Sequence, residues 1–334
     1  MIDEKLDRSA SGLQGSGSKY LCTLCFATNT TAKTNLGNFT IERSYKGSCD
    51  IATYILENPD NLPKTQLDEV AKGVKAMPIL LAEPIKKGYD STHADINMGR
   101  FFKNLLAREI AQVTCWSLTA DTKHLVIDAE SRLDRHLKAT VGLNCQLMMP
   151  RNYARVLFNP ENQSIILSII PNEGRRKHLV SIFDKFYVLR KVYRSLRPLS
   201  DCPDDVKNVK KIAVEFGKLF LEHFAYAEWP NYMHKIIEHT QELIERSDGA
   251  GSIGAMSSEG SEAGNKVFRH FRKHLSRRDV TINSLRDVIH LHWLYSSPAL
   301  IRIADMLSKK KTCSICFNTG HNARTCTHVT KNLS

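Results

Sequence analysis

The sequence predicts a mostly helical protein with minor β structure, and three observations support this fold class. Apolar residues recur at helical spacing in three stripes through the middle of the chain. A short alternating segment, residues 35–45 (NLGNFTIERSY), predicts the minor β element, either a strand or a hairpin. A pair of cysteines near the start of the chain and a cluster of three cysteines and one histidine near its end predict zinc sites that help to hold the fold together.

The three apolar stripes indicate helices because their members follow i, i+3 and i+4 spacing. The first stripe lies between residues 101 and 113, the second between 179 and 196, and the third between 206 and 224. The stripes consist of Phe101, Phe102, Leu105, Leu106, Ile110 and Val113; Leu179, Ile182, Phe183, Phe186, Leu189, Tyr193 and Leu196; and Val206, Val209, Ile212, Phe216, Leu219, Phe220 and Phe224.

Charge and composition favour a basic protein inside the cell. The 334 residues include 47 Lys and Arg against 35 Asp and Glu, a formal net charge of +12. Much of the surplus lies in 263–334, which contains 13 Lys and Arg against 3 Asp. A basic surface of this kind attracts nucleic acid, although it can also serve only solubility. The longest apolar runs are too short to span a membrane and the first residues lack a signal-peptide pattern, so we expect neither a membrane nor a secreted protein.

The strongest local motif is a zinc knuckle near the C-terminus. Cys313, Cys316, His321 and Cys326 follow the spacing C-x2-C-x4-H-x4-C, and three thiolates with one imidazole can close a tetrahedral zinc site. Knuckles of this type bind nucleic acid. The neighbouring lysines would contact phosphates through their charge; they are Lys309, Lys310 and Lys311.

A second cysteine pair, Cys22 and Cys25, forms half of a zinc site and needs two further ligands. His234 and His239 are candidates among the thirteen histidines. At i, i+5 they lie about 140° apart on a straight helix, so we expect both to face one metal only if the helix begins, ends or bulges between them. Spacing alone leaves open whether they are ligands or solvent-facing residues, and whether the thiols are free.

A carboxylate followed by cations on one helical face suggests chemistry on phosphodiesters. Glu262 precedes Lys266, Arg269 and Lys273 at spacings that place them on one side of a helix. Such an arrangement suits a metal ion at a phosphodiester with basic residues on the flanking phosphates. It equally suits an amphipathic surface helix whose N-terminal Glu is favoured by the helix dipole.

Taken together, these segments resemble the C-terminal part of the catalytic subunit of RAG-type recombinases. The resemblance rests on six short segments and extends from Asp3 to about Tyr295. They are IDEKL (2–6), GSGSKYLCTLC (15–25), HADI (93–96), NYAR (152–155), NYMHKIIEH (231–239) and GSIGAMSSEGSEAGNKVFRHFRK (251–273). The added basic knuckle is similar to the RAG-like transposases of invertebrate chordates, the ProtoRAG type.

The resemblance implies a DDE transposase with an RNase H-like core interrupted by a zinc-bridged helical insertion. The family's second catalytic Asp falls on Asp3, its catalytic Glu on Glu262 and its active-site histidine on His93. Asp3 and Glu262 would hold Mg²⁺ or Mn²⁺, and the family's interdomain zinc falls on Cys22, Cys25, His234 and His239. Only Met1 and Ile2 precede Asp3, so we expect the family's first catalytic Asp and the leading sheet strands to be missing here.

The resemblance also supplies DNA-handling positions. Arg190, Tyr193 and Arg194 fall on basic and aromatic positions of the family, with Tyr193 where a Trp is expected to stack on a base. Arg155 of the NYAR segment, Lys266 and Arg269 are further DNA-binding candidates, together with the three lysines before the knuckle.

These interpretations divide the chain into five segments. They are the end of an RNase H-like segment (1–19), a Cys-pair zinc subdomain with a small β element (20–90), a helical zinc/His subdomain (91–261), the catalytic-Glu helix with basic helices (262–308), and the knuckle with its tail (309–334). The expected function is a nuclear DNA-cleaving transposase core with two zinc ions, acting as a homodimer on double-stranded DNA with a kelch-propeller accessory subunit. The alternative is a non-catalytic, zinc-dependent DNA-binding protein.

Overall fold

The computed structural model describes residues 8, 11–15, 18–58, 64–79, 83–84, 88–144, 150–195, 203–245, 253–254 and 270–276, with seven single positions between 287 and 302. Within these residues the protein is mostly helical, as predicted. The helices in chain order are α1 (Thr31–Thr34), α2 (Tyr45–Glu57), α3 (Lys64–Ala71), α4 (Ser91–Ala111), α5 (Ala120–Val141), α6 (Pro150–Leu157), α7 (Pro160–Leu167), α8 (Glu173–Arg194), α9 (Pro203–Phe224) and α10 (Asn231–Glu245).

Nearly all members of the three apolar stripes lie on helices α4, α8 and α9, which confirms the periodicity argument. Val113 follows the end of α4, and Leu196 lies outside the described residues. Side chains just outside the helices satisfy the first free backbone N–H groups. The Asp90 carboxylate accepts a hydrogen bond from the N–H of Thr92 at the start of α4, and Asn172 accepts one from Arg175 at the start of α8. Helix α4 ends where Gln112 adopts a left-handed conformation. Local sequence therefore determines where these helices start and stop.

A cluster of phenylalanine rings joins these helices into one core. Phe102 of α4 lies 5.3 Å from Phe183 of α8, and Phe186 lies 5.6 Å from Phe216 of α9, measured between ring centroids. Phe158, just after α6, lies 4.4 Å from Phe186. Edge-to-face and tilted ring pairs add to the stabilisation from apolar burial. This core gives α4, α8, α9 and α10 fixed positions, and the functional side chains lie on these helices.

The strand or hairpin expected at residues 35–45 is not found in this described segment. Residues 38–44 have no regular secondary structure, and Tyr45 already begins α2. The reason is that the N–H groups of Gly37, Phe39 and Ile41 donate to glutamate side chains of α10. Among the described residues, β structure is limited to two isolated bridges, Leu13 with Val74 and Tyr20 with Thr28.

The chain divides into two compact units, Met1–Ser258 and Glu259–Ser334. In the second unit, Phe271–Leu275 forms a short π-helical turn. Phe271 is buried there, whereas Leu275 is 51% exposed. None of the described helices combines the length and apolarity needed to cross a bilayer.

Candidate functional site

Four side chains from distant parts of the chain converge on one buried point. Cys22 and Cys25 lie in the turn before α1, and His234 and His239 lie on α10. Cys22 Sγ lies 3.6 Å from His239 Nε2, and Cys25 Sγ lies 3.2 Å from His234 Nε2. All four candidate ligand atoms lie within 4.8 Å of one another, and all four residues are buried.

These distances fit a tetrahedral zinc ion. Zinc–sulfur bonds of about 2.3 Å and zinc–nitrogen bonds of about 2.05 Å give a sulfur–nitrogen separation near 3.6 Å in a tetrahedron. The donor set of two thiolates and two imidazoles is one that structural zinc sites use. Helix α10 is continuous from Asn231 to Glu245, so both histidines reach the site without a break between them. The expectation that an i, i+5 pair requires a helix end or bulge was wrong, because imidazoles are long enough to converge.

The cysteine turn is held in shape by its own backbone. The N–H of Leu24 donates to Cys22 Sγ at 3.3 Å, and the N–H of Ala27 donates to Cys25 Sγ at 3.4 Å. Burial alone would raise the pKa of Cys22, but hydrogen bonding with Cys25 and the charge of His239 lower it well below its usual value. The pKa of Cys25 is raised by its hydrogen bond with Cys22 and by burial. Both thiols would bind zinc as thiolates, so zinc affinity at this site would depend on pH.

A second set of contacts joins the two halves of the site. Glu238 of α10 accepts hydrogen bonds from the N–H groups of Gly37 (2.7 Å) and Phe39 (3.3 Å), and from Lys210 Nζ (2.7 Å). Glu242 accepts from the N–H of Ile41 at 2.7 Å and lies 3.8 Å from His239 Nδ1. A carboxylate beside a ligating histidine orients its ring. Neither glutamate is predicted from the sequence, although Glu238 lies between the two histidines and Glu242 follows them at i, i+4 spacing.

A buried carboxylate organises the predicted DNA-handling residues. Asp95 of α4 accepts from Arg190 Nε (3.0 Å) and Nη2 (2.7 Å), and from the Tyr193 hydroxyl (2.7 Å). Arg194 Nε lies 3.6 Å from the same carboxylate, and its Nη1 reaches Thr92 at the start of α4. No sequence signal identified Asp95, whose role depends on the packing of α4 against α8.

This arrangement changes the interpretation of Tyr193. The side chain is fully buried, and burial with the neighbouring Asp95 charge raises the pKa of its hydroxyl well above the usual value. A stacking surface for a base, as the resemblance suggested, is therefore not presented here, because Tyr193 is a core residue that fills the space beside Asp95. The side chains of Arg190 and Arg194 remain 17% and 26% exposed.

His93 lies at the same end of α4 as these arginines. Its Nδ1 is hydrogen-bonded to the carboxylate of Asp90, the residue that caps the helix. The structure therefore brings His93, Arg190 and Arg194 together around one helix start. Arg155 is exposed on α6. The remaining predicted residues lie outside the described part of the chain: Asp3, Glu262, Lys266, Arg269, Lys309, Lys310, Lys311, Cys313, Cys316, His321 and Cys326.

The fold and the site define a helical protein whose start is bridged to α10 by a Cys2His2 zinc centre. Three family models match successive parts of the chain. The two cysteines of the zinc centre fall in the first model, and the two histidines fall in the second. The models are the ZnC2 domain of recombination-activation protein 1 (residues 20–82), its ZnH2 domain (87–249) and its C-terminal domain (259–315).

Similar proteins agree with these matches. V(D)J recombination-activating protein 1 of Xenopus laevis is 34% identical over 301 residues, which are 89% of this chain and 28% of that protein. The protein of the same name from Oryctolagus cuniculus is 32% identical over 319 residues, 95% of this chain and 30% of the relative. That from Ginglymostoma cirratum is 38% identical over 110 residues, 32% of this chain and 100% of the relative. The chain belongs to the recombination-activating protein 1 family, and it spans about three tenths of the length of its longer relatives.

Proposed function

We propose that this chain is the zinc-bridged core portion of a nuclear, RAG-like recombinase or transposase of the DDE class. In that role it binds double-stranded DNA, nicks it by metal-dependent phosphoryl transfer and uses the freed 3′-OH for strand transfer. The observation that carries the proposal is the Cys2His2 set, because its two halves lie in two successive zinc domains of a recombination-activating family. The RNase H-like context and the transposase activity are part of the proposal.

The helix start at Asp90–Asp95 is the part of the described structure that supports DNA handling. Two arginines and a histidine lie there on helices α4 and α8, whose mutual position the aromatic core fixes. Guanidinium groups that are held in place by a carboxylate can still contact phosphates with their exposed edges. We assign Arg194 the larger share of this contact, since Arg190 gives two hydrogen bonds to Asp95.

The catalytic assignment comes from the family rather than from the described geometry. Asp3 and Glu262 are the proposed Mg²⁺ or Mn²⁺ ligands, Lys266 and Arg269 the proposed phosphate contacts, and His93 the proposed active-site histidine. The knuckle would bind a second zinc ion, and the lysines at 309–311 would add DNA affinity. A homodimer and a kelch-propeller accessory subunit are the proposed assembly.

A nicking assay separates the two candidate functions. Two proteins are compared on supercoiled and linear DNA with Mg²⁺: this chain, and an extended protein in which an Asp-bearing strand is joined ahead of this chain. We expect this chain to bind DNA without nicking and the extended protein to nick, because two-metal phosphoryl transfer needs a complete carboxylate clamp.

Variants of the extended protein test the residue assignment. Glu262→Gln and Asp3→Asn should abolish nicking, whereas Glu259→Gln, three residues away, should retain it. DNA binding without nicking by the extended protein would favour the non-catalytic alternative. Nicking by this chain alone, abolished by Glu262→Gln, would show that the residues of this chain already supply a complete carboxylate clamp.

A further inference from the structure

Arg43 is a buried cation beside the zinc centre, and it is not one of the ligands. It lies just before α2, and only 6% of it is exposed. Its Nε donates to the carbonyl oxygens of both Cys22 (3.1 Å) and Cys25 (2.8 Å). The backbone N–H of Arg43 also donates to the carbonyl of Leu24 at 3.0 Å. One residue therefore contacts three of the four carbonyls of the Cys22–Cys25 turn.

The other end of the guanidinium contacts a second turn. Its Nη2 donates to the carbonyl of Lys72 at 2.7 Å. Lys72 and Gly73 both have a positive φ, 47° and 83°, a conformation that is costly for a lysine and needs support from its surroundings. The Lys72–Gly73 turn also contacts the segment around Gln14, because the N–H of Gln14 donates to the carbonyl of Gly73 at 2.8 Å.

Charge and ring contacts suit an arginine at this position. The guanidinium lies over the Phe26 ring, 4.6 Å from its centroid. Burial lowers the pKa of Arg43, while the charges of Cys22 and Cys25 oppose that effect. A planar group with several fixed N–H donors can bond to two sets of carbonyls through different nitrogens, here Nε and Nη2, whereas a lysine ammonium acts as a single point of charge.

We propose that Arg43 is a positioning residue of the zinc centre, which holds the Cys22–Cys25 turn in metal-binding geometry and ties it to the Lys72–Gly73 turn. Groups outside the ligand shell typically contribute about 10- to 100-fold to metal affinity by orienting the ligands. Loss of Arg43 should weaken zinc retention without removing a ligand. The inference depends on the zinc centre and not on DNA cleavage, so the two can fail separately.

The test is the rate of zinc transfer from the whole chain to the chromophoric chelator 4-(2-pyridylazo)resorcinol. The Cys22→Ser variant should lack one phase of the zinc release seen in the native chain, and that phase is assigned to the Cys2His2 centre. We expect Arg43→Lys and Arg43→Gln to speed this phase by about tenfold or more. The matched control is Arg108→Lys, because Arg108 is also buried, donates to the carbonyls of Asn104, Cys115 and Trp116, and lies over a ring, but does not contact the cysteine turn.

Hydrogen exchange of the zinc-saturated proteins tests the link between the turns. The amide of Gln14 should exchange faster in Arg43→Lys than in the native protein and in Arg108→Lys. Release rates within twofold of native in both Arg43 variants, or an equal acceleration in Arg108→Lys, would overturn the proposal. If neither Arg43 variant folds in excess zinc, the Phe26→Leu variant provides the test. It keeps the Arg43 guanidinium but removes the aromatic ring on which the guanidinium lies. Faster zinc release from this variant supports the proposal, and release at the native rate refutes it.

Discussion

Replacing Glu238 should loosen the joint between the start of the chain and α10 even though no zinc ligand changes. The Glu238 side chain is fully buried and accepts hydrogen bonds from Gly37, Phe39 and Lys210. Removing one partner of a buried ion pair costs about 3–5 kcal/mol. Lys210 is 28% exposed and can be hydrated again, so we expect Glu238→Ala to cost about 3 kcal/mol, the lower end of that range.

Thermal unfolding measures this effect. A loss of about 3 kcal/mol corresponds to a fall in Tm of roughly 4 °C for a chain of this size. Glu238→Gln keeps the shape and one acceptor oxygen, so its effect should be about half as large. Glu245→Gln on the same helix is the control and should stay within about 0.5 kcal/mol of native, because Glu245 is exposed.

The same variant should also release zinc faster. Phe39 lies 5.1 Å from the His234 ring, so loosening residues 37–41 frees that ligand. A Tm for Glu238→Ala within 1 °C of native, or a fall equal to that of Glu245→Gln, would refute the view that Glu238 holds the joint.

Three further predictions concern other parts of the chain. Tyr193→Phe removes a buried hydroxyl from Asp95 and should cost about 1–3 kcal/mol in urea unfolding while leaving DNA affinity unchanged; an affinity loss with native stability would restore a direct DNA role. Replacing Lys309, Lys310 and Lys311 by Ala should flatten the salt dependence of DNA binding by about 3 units of slope, whereas an unchanged slope would remove these lysines from the interface. Burial and the charges of His223 and Arg175 lower the pKa of His178 below 6.5, so its NMR titration should have a midpoint below that value. The contribution of His178 to the free energy of unfolding is fully present above pH 6.5 and is lost as the pH falls below that value. The His178→Gln variant should therefore show a weaker dependence of stability on pH. A titration midpoint at or above 6.5 would contradict the lowered pKa.

The helices could be predicted from the sequence because periodic apolar residues directly report burial on one face. Phe102, Phe183 and Phe216 belong to three predicted stripes and meet in one core. The β element at 35–45 could not be excluded in this way, since alternation also occurs in extended segments. Whether residues 35–45 form a strand is decided by a tertiary contact, because their backbone N–H groups donate to the side chains of Glu238 and Glu242.

The zinc ligands illustrate the same limit. Cys22 and Cys25 mark half a site by spacing alone. His234 and His239 were candidates among thirteen histidines, but only the resemblance favoured them as ligands. The buried charges Arg43 and Asp95 have no sequence signature, because each is defined by neighbours more than fifteen residues away. Tyr193 shows the opposite case, where a family position suggested a surface role and the packing places the ring in the core.

The arrangement of the four ligands indicates that one zinc ion joins residues more than 200 positions apart, and the most direct test is a count of bound zinc in a double-variant comparison. Zinc is measured by mass spectrometry of the metal in purified Cys22→Ser, His239→Asn and the double variant. If the two residues share one ion, each single variant should lose the same one zinc relative to the native chain, and the double variant should lose no more. Losses that add in the double variant, or full retention of zinc in either single variant, would contradict the shared centre.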